Sequence, residues 1–170
     1  FRCTMWAMSY RFLKVDAPLL VEEEKYKTLK AYVKADIIVI LFTDLLSDIY
    51  GFFGSLGALY LIFIGVLLEK PIMIFAAQIG PFSRSWSGKI MATLTRYFLN
   101  KVDLITVRDK ISLKTIQAMK ISKPSVYLTA EPAWLLEPAP IQRVKSILSN
   151  ECIETDNKSL IGINTSALIW

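Results

Sequence analysis

Histidine is absent from this chain of 170 residues. Within it, that excludes Ser–His and Cys–His nucleophile pairs, His-ligated metal sites and an imidazole proton switch. Cysteine is scarce: Cys3 and Cys152 are far apart and match no metal or redox spacing. They read as reduced thiols of a cytosolic chain. Repeats and low-complexity tracts are missing. So is any stripe of positive charge, although the net charge is +5. Lys25, Lys27, Lys30 and Lys34 lie on one predicted helix with Glu22, Glu23 and Glu24, a pattern of a solvated face rather than a nucleic-acid surface. No nucleic-acid partner is expected.

What the chain has in quantity is apolar surface, at 54% of residues. Its length suits one ordinary domain with a real core. From Ile49 to Leu68 the run IYGFFGSLGALYLIFIGVLL carries no charge and is about long enough to cross a bilayer. Gly51, Gly54 and Gly57 crowd its first half, and Pro71 opens a second apolar run, PIMIFAAQIGPF. A helix between two buried strands is itself apolar on most faces. We therefore read the run as a Gly-rich entry to a buried helix, solid only from Ala58 to Leu68, leaving peripheral membrane association open.

The elements alternate. A helix is expected from Glu22 to Lys34, with Tyr26, Leu29, Tyr32 and Val33 as its apolar stripe. Strands are expected at Ile37–Phe42, Pro71–Ala77, Val102–Val107 and Ser125–Leu128. Helices ending at Leu68, Asn100 and Met119 fall between them, and another covers Ile141–Leu148. Apolar strands alternating with helices predict an α/β fold, a Rossmann-like parallel sheet with helices on both faces. The polar connector NECIETDNKS precedes a fresh strand, LIGINTS. Residues 1–149 are accordingly expected to form one Rossmann-like domain, and 150–170 a linker with the first strand of a second. The chain opens on Phe1 and closes on Trp170, and we read it as part of a longer protein.

Ligands of open parallel sheets bind beyond the carboxyl ends of the strands. Right-handed crossovers bring those ends to one rim. The polar residues expected there are Thr43, Asp44, Ser47 and Asp48, then Gln78, Gly80, Ser83 and Arg84, then Arg108, Asp109 and Ser112, then Thr129 and Glu131. Arg108 leaves a buried strand with a fork of donors able to grip a carboxylate or phosphate twice. Asp109 suits a helix N-cap and Ser112 the third position of that helix, where free backbone donors favour an anion. Two readings stay open: an anion seat, or an Arg108 that pairs with Asp109 or Glu131 and ties the loop down. Gln78-Ile-Gly-Pro-Phe82 reads as a tight turn whose Gln78 can hydrogen-bond a hydroxyl. Asp44 and Asp48 lack an evident third ligand, so no metal site is expected.

In order and spacing these motifs resemble the polysaccharide pyruvyl transferase family. The resemblance rests on IGPF (Ile79–Phe82), on Arg108-Asp109-x-x-Ser112 about 25 residues later, and on Glu131-Pro132-Ala133 where the family usually shows Asp-Pro-Ala. It covers roughly Ala35 to Pro138. Two departures stand out. The family's glycines after the first of these strands are replaced by Ile40-Leu41-Phe42, and its usual Gly and Gln before IGP by Ala76 and Ala77.

The resemblance implies one half of a two-domain architecture with facing Rossmann-like halves, as in GT-B glycosyltransferases. It implies a transferase that moves a pyruvyl group from phosphoenolpyruvate to a sugar of a cell-surface polysaccharide, in cell-wall or exopolysaccharide biosynthesis. Arg108 would act on the donor, while Asp44, Gln78, Ser112 and Glu131 would bind substrate. No cofactor is implied beyond phosphoenolpyruvate as donor substrate. The acceptor would be a free or lipid-linked glycan, and the location cytoplasmic or at the inner face of the membrane. This piece alone would be inactive. The alternatives are a nucleotide-sugar glycosyltransferase of GT-B type, and a diverged, non-catalytic, membrane-associated domain.

Overall fold

Four apolar runs become the strands of one parallel sheet. They are β1 (Ile38–Leu41), β2 (Ile72–Ala77), β3 (Leu104–Val107) and β4 (Ser125–Leu128), in the spatial order β1-β2-β3-β4. The computed structural model describes residues 1–41, 46–47, 51–153 and 161–162. The expectations for Thr43, Asp44 and Asp48, for most of the 150–159 connector and for the last strand from Leu160 lie outside the described residues. The chain divides into two compact units, Phe1–Glu131 and Pro132–Trp170. The second holds a short 3-10 turn, Pro132–Leu135, and an amphipathic helix, Ile141–Asn150, with no buried residue.

In the first unit the helices are α1 (Arg2–Met8), α2 (Glu23–Lys34), α3 (Gly51–Leu67), α4 (Trp86–Leu99) and α5 (Lys110–Ala118). The α/β class and the parallel sheet are those expected from the alternation of runs. One sheet face packs into a continuous core. Ile38, Ile40, Ile72, Ile74, Ile105 and Val107 meet Ala58, Leu59 and Ile62 of α3, Met91 and Leu99 of α4, and Ile116 of α5. On the opposite face of β1, Val39 and Leu41 are more than half exposed.

The uncharged run of α3 is explained by its position between two apolar clusters. One side joins the sheet core. The other, through Ile64 with the half-buried Tyr60, Phe63 and Leu67, joins a second cluster built on Trp6, Ala7, Val21 and Leu29. A helix covered on two sides needs apolar residues nearly all round. No helix among the described residues is long and apolar enough to cross a membrane.

The expected apolar stripe of α2, Tyr26, Leu29, Tyr32 and Val33, packs in this second cluster, whereas Trp6, Ala7 and Val21 come from a stretch to which the sequence assigned no element. Asp16 fastens the cluster: its carboxylate accepts from Trp6 Nε1 at 3.2 Å, Tyr26 Oη at 2.9 Å and Lys30 Nζ at 2.7 Å. The Lys30 ammonium chiefly, against a partial loss of solvation, holds the Asp16 carboxyl below the ordinary carboxylate range, with Tyr26 helping. A carboxyl depressed in the folded state stabilises the fold fully above its unfolded pKa. It loses that contribution as the pH falls through its folded value. We expect Asp16→Asn to lower the melting temperature at neutral pH. The gap from the parent should close in acid, below the usual carboxylate range; a gap that persists there would show the charge to be irrelevant.

Gly65 sets how closely α3 approaches the sheet. A Cβ there would stand 2.9 Å from Ile72 Cδ1 and 3.1 Å from Ile38 Cδ1. Alanine would ask only that two flexible isoleucine ends shift, whereas a branched side chain has nowhere to go. Gly65→Val is expected to cost about 2 kcal/mol by overpacking, read as a lowered denaturation midpoint. An unchanged midpoint would show that the helix can retreat freely.

Candidate functional site

The carboxyl ends of β2, β3 and β4 share one edge of the sheet, and Gln78, Arg108 and Glu131 leave from it. The backbone is stitched across this edge: Arg108 N–H donates to Ala77 O at 3.3 Å, and Thr129 N–H donates to Val107 O at 2.8 Å. Arg108 is held at both outer amino groups. Nη1 donates to Glu131 Oε2 at 2.5 Å, and Nη2 donates to Gln78 Oε1 at 2.8 Å. Two residues from two other loops, Gln78 and Glu131, therefore converge on one guanidinium, whose side chain is about one-fifth exposed. All three residues line an open cleft of about 400 Å³ with Gly80, Pro81, Asp109, Ile111 and Ser112.

Two local devices shape the floor of that cleft. The first is a bulge near the end of β2. The pairing slips between Ile74, opposite Ile105, and Ala77, opposite Val107. The extra residue turns Ala76 to φ 49°, and its N–H donates to Thr106 Oγ1 at 2.7 Å. A left-handed alanine costs about 1–2 kcal/mol, here set against a buried hydrogen bond. The bulge falls in the residues immediately before Gln78, as bulges beside sites often do. The second is the turn at Gly80, with φ +75° and a Cβ position only 3.0 Å from Thr115 Cγ2. Both facts favour glycine there.

Ser112 joins the two loops. Its side chain is fully buried: Oγ accepts from Ile79 N–H at 2.9 Å and donates to Asp109 Oδ2 at 2.7 Å. Asp109 Oδ1 accepts from Ser112 N–H at 2.7 Å, so Asp109 is the N-cap of α5, as its position suggested. The third-position donor of that helix is thus taken by its own cap. Ser112 fixes the cleft wall from behind, with its hydroxyl committed to protein partners.

Of the residues read from the sequence, the structure brings together Gln78, Arg108 and Glu131. Ser112 lies beneath them. Asp44 is outside the described residues. Ser83 and Arg84 do not line this cleft, and the Thr129 hydroxyl donates to Val107 O at 3.3 Å. Both open readings of Arg108 keep support: it pairs with Glu131 and it faces a cleft. Ile111 and the Ala76 bulge were not foreseen, since an apolar lining and a register slip leave no polar signature. Among the described residues no three His, Cys, Asp or Glu side chains group as a metal site.

A model of the polysaccharide pyruvyl transferase family matches residues 6–167, nearly the whole chain. The chain belongs to that family. No curated protein and no solved structure gives a significant match. Membership in the pyruvyl transferase family makes the chain part of a transferase lineage and places IGPF, Arg108-Asp109-x-x-Ser112 and Glu131-Pro132-Ala133 inside the matched region.

Truncating Ser112 would leave the buried Ile79 N–H without an acceptor and remove a partner of Asp109. We expect Ser112→Ala to lower stability by about 1–3 kcal/mol, read in chemical denaturation. A loss near zero would mean that the two loops do not depend on this hydroxyl.

Proposed function

We propose that this chain is one half of an enzyme that transfers a pyruvyl group from phosphoenolpyruvate to two hydroxyls of one sugar on a cell-surface polysaccharide. Two C–O bonds form at the enol carbon and the C–O bond to phosphate breaks. Of the two hydroxyl protons, one ends on the methylene carbon, making a methyl group, and the other leaves with phosphate. The product is a cyclic ketal. Family membership supports the reaction class. The observation that carries the residue assignment is a partly exposed guanidinium at the carboxyl edge of a parallel sheet, facing a cleft of about 400 Å³. That volume is within the range of small-molecule sites.

In this reading Arg108 binds the carboxylate or the phosphate of the donor, where its planar fork can make two parallel charged hydrogen bonds. As phosphate departs, the same charge stabilises the negative charge that develops. Gln78 and Glu131 are assigned to the acceptor side of the cleft, with Asp44 a further candidate for binding the acceptor, and Ser112 supports the donor side through Ile79 and Asp109. The reaction as written calls on no metal or nucleotide cofactor. A second Rossmann-like half, in the GT-B manner, would complete the enzyme. The setting is the cytoplasm or the inner face of the membrane, where a free or lipid-linked glycan could serve as acceptor.

The test, made on the full-length protein, follows phosphate release from phosphoenolpyruvate in the presence of a β-galactoside or amino-sugar acceptor. Arg108→Ala should lower kcat/KM by roughly 100-fold or more, the usual cost of losing one preorganised charge-stabilising donor. Unchanged turnover would reject Arg108 as the donor seat. Consumption of a nucleotide sugar in place of phosphoenolpyruvate would reject the pyruvyl donor itself.

A further inference from the structure

The cleft holds one cation and two carboxylates, Arg108, Asp109 and Glu131, an unpromising balance for an anionic donor. The two carboxylates are not equivalent. Asp109 uses both oxygens on Ser112, one on its N–H and one on its hydroxyl, each at 2.7 Å. It is built into the end of α5. The Glu131 side chain is one-third exposed, and among the described residues its carboxylate makes one hydrogen bond, to Arg108 Nη1. Glu131 lies past the end of β4, in a loop. Of the groups bound to Arg108, it is the charged one, and its bond to Arg108 is the one hydrogen bond its carboxylate makes among the described residues.

We propose that Glu131 is an internal competitor for the anion seat, occupying Arg108 until an incoming carboxylate or phosphate displaces it. The inference rests on the reading of Arg108 as the donor seat. Gln78, which holds the other amino group at 2.8 Å, keeps the guanidinium in place during the exchange. A carboxylate or phosphate arriving at Nη1 takes over the role of Glu131. Its apparent affinity is reduced by the fraction of molecules in which Glu131 is docked. A merely structural Glu131, one that holds Arg108 ready for the ligand, predicts the opposite sign: its removal would weaken binding.

The two are separated by calorimetric titration of the protein with inorganic phosphate and with phosphoenolpyruvate, at one pH and one ionic strength. Glu131→Gln keeps the shape and an acceptor oxygen but removes the charge; Glu131→Ala removes the group altogether. Competition predicts that both variants bind both probes more tightly, by about fivefold, the upper end of what an exposed ion pair contributes. Arg108→Gln should abolish binding. Unchanged or weaker binding in the two Glu131 variants, with Arg108→Gln still defective, would overturn the competition and leave the seat standing. Full binding by Arg108→Gln would overturn the seat, and this inference with it.

Discussion

A single buried hydroxyl holds the rim of this molecule together. Ser112 lies at the start of α5, yet its Oγ reaches the backbone of the turn that follows β2. Without it, two loops that leave neighbouring strands would be tied mainly by the sheet behind them. The hydroxyl can do this because Asp109 accepts its proton, which orients the oxygen to receive Ile79 N–H. Every polar atom in that chain is satisfied, the condition under which a buried network rigidifies a structure. The placement of Gln78 beside Arg108 depends on that fixed turn.

The parallel sheet supplies the other half of the constraint. In-register pairing of β3 with β4 sets Val107 opposite Leu128. The residues that follow, Arg108 and the loop to Glu131, therefore emerge side by side. The β2 bulge adds one residue to a strand whose register would otherwise carry Ala77 past Val107. Strained backbone at Ala76 and a filled glycine position at Gly80 are local costs borne where geometry matters more than propensity. Elsewhere the chain follows its propensities. The Ser85 hydroxyl caps α4 by accepting from Gly88 N–H at 3.1 Å, and acidic residues open α2 while Lys34 closes it.

Much of this was legible because periodicity and punctuation are local. The runs at 37–42, 71–77, 102–107 and 125–128 each became a strand within a residue or two of the expected limits. Asp109 was readable as a cap because a short acceptor ahead of an apolar period has few other uses. The convergence of Gln78, Arg108 and Glu131 followed from topology: parallel strands with crossovers gather their carboxyl ends. What stayed hidden depends on long-range geometry. Trp6 and Asp16 gain meaning only when α1 and α2 fold against the outer side of α3, and no local pattern announces that. The direction in which the Ser112 hydroxyl points, inward to Ile79 rather than outward to a ligand, depends on the turn at Gly80. The Ala76 bulge is likewise written in strand pairing, not in the identity of alanine.

The proposed exchange makes the two readings of Arg108 compatible. A tie and a seat would exclude one another only if the tie were too strong to break. An ion pair whose partners are one-fifth and one-third exposed falls between the solvated and buried limits, and exposed pairs contribute about 0.2–1 kcal/mol. That is less than a factor of ten in an equilibrium constant. A ligand that offers a carboxylate or phosphate to the same amino groups repays the exchange with its first charged hydrogen bond. On that proposal the pairing keeps a guanidinium from being left without a counter-charge, and would yield to an incoming carboxylate or phosphate. A fully buried pair could not serve both ends, because breaking it would strand a charge at a cost of several kcal/mol. Partial exposure of both partners is what would make such an exchange reversible.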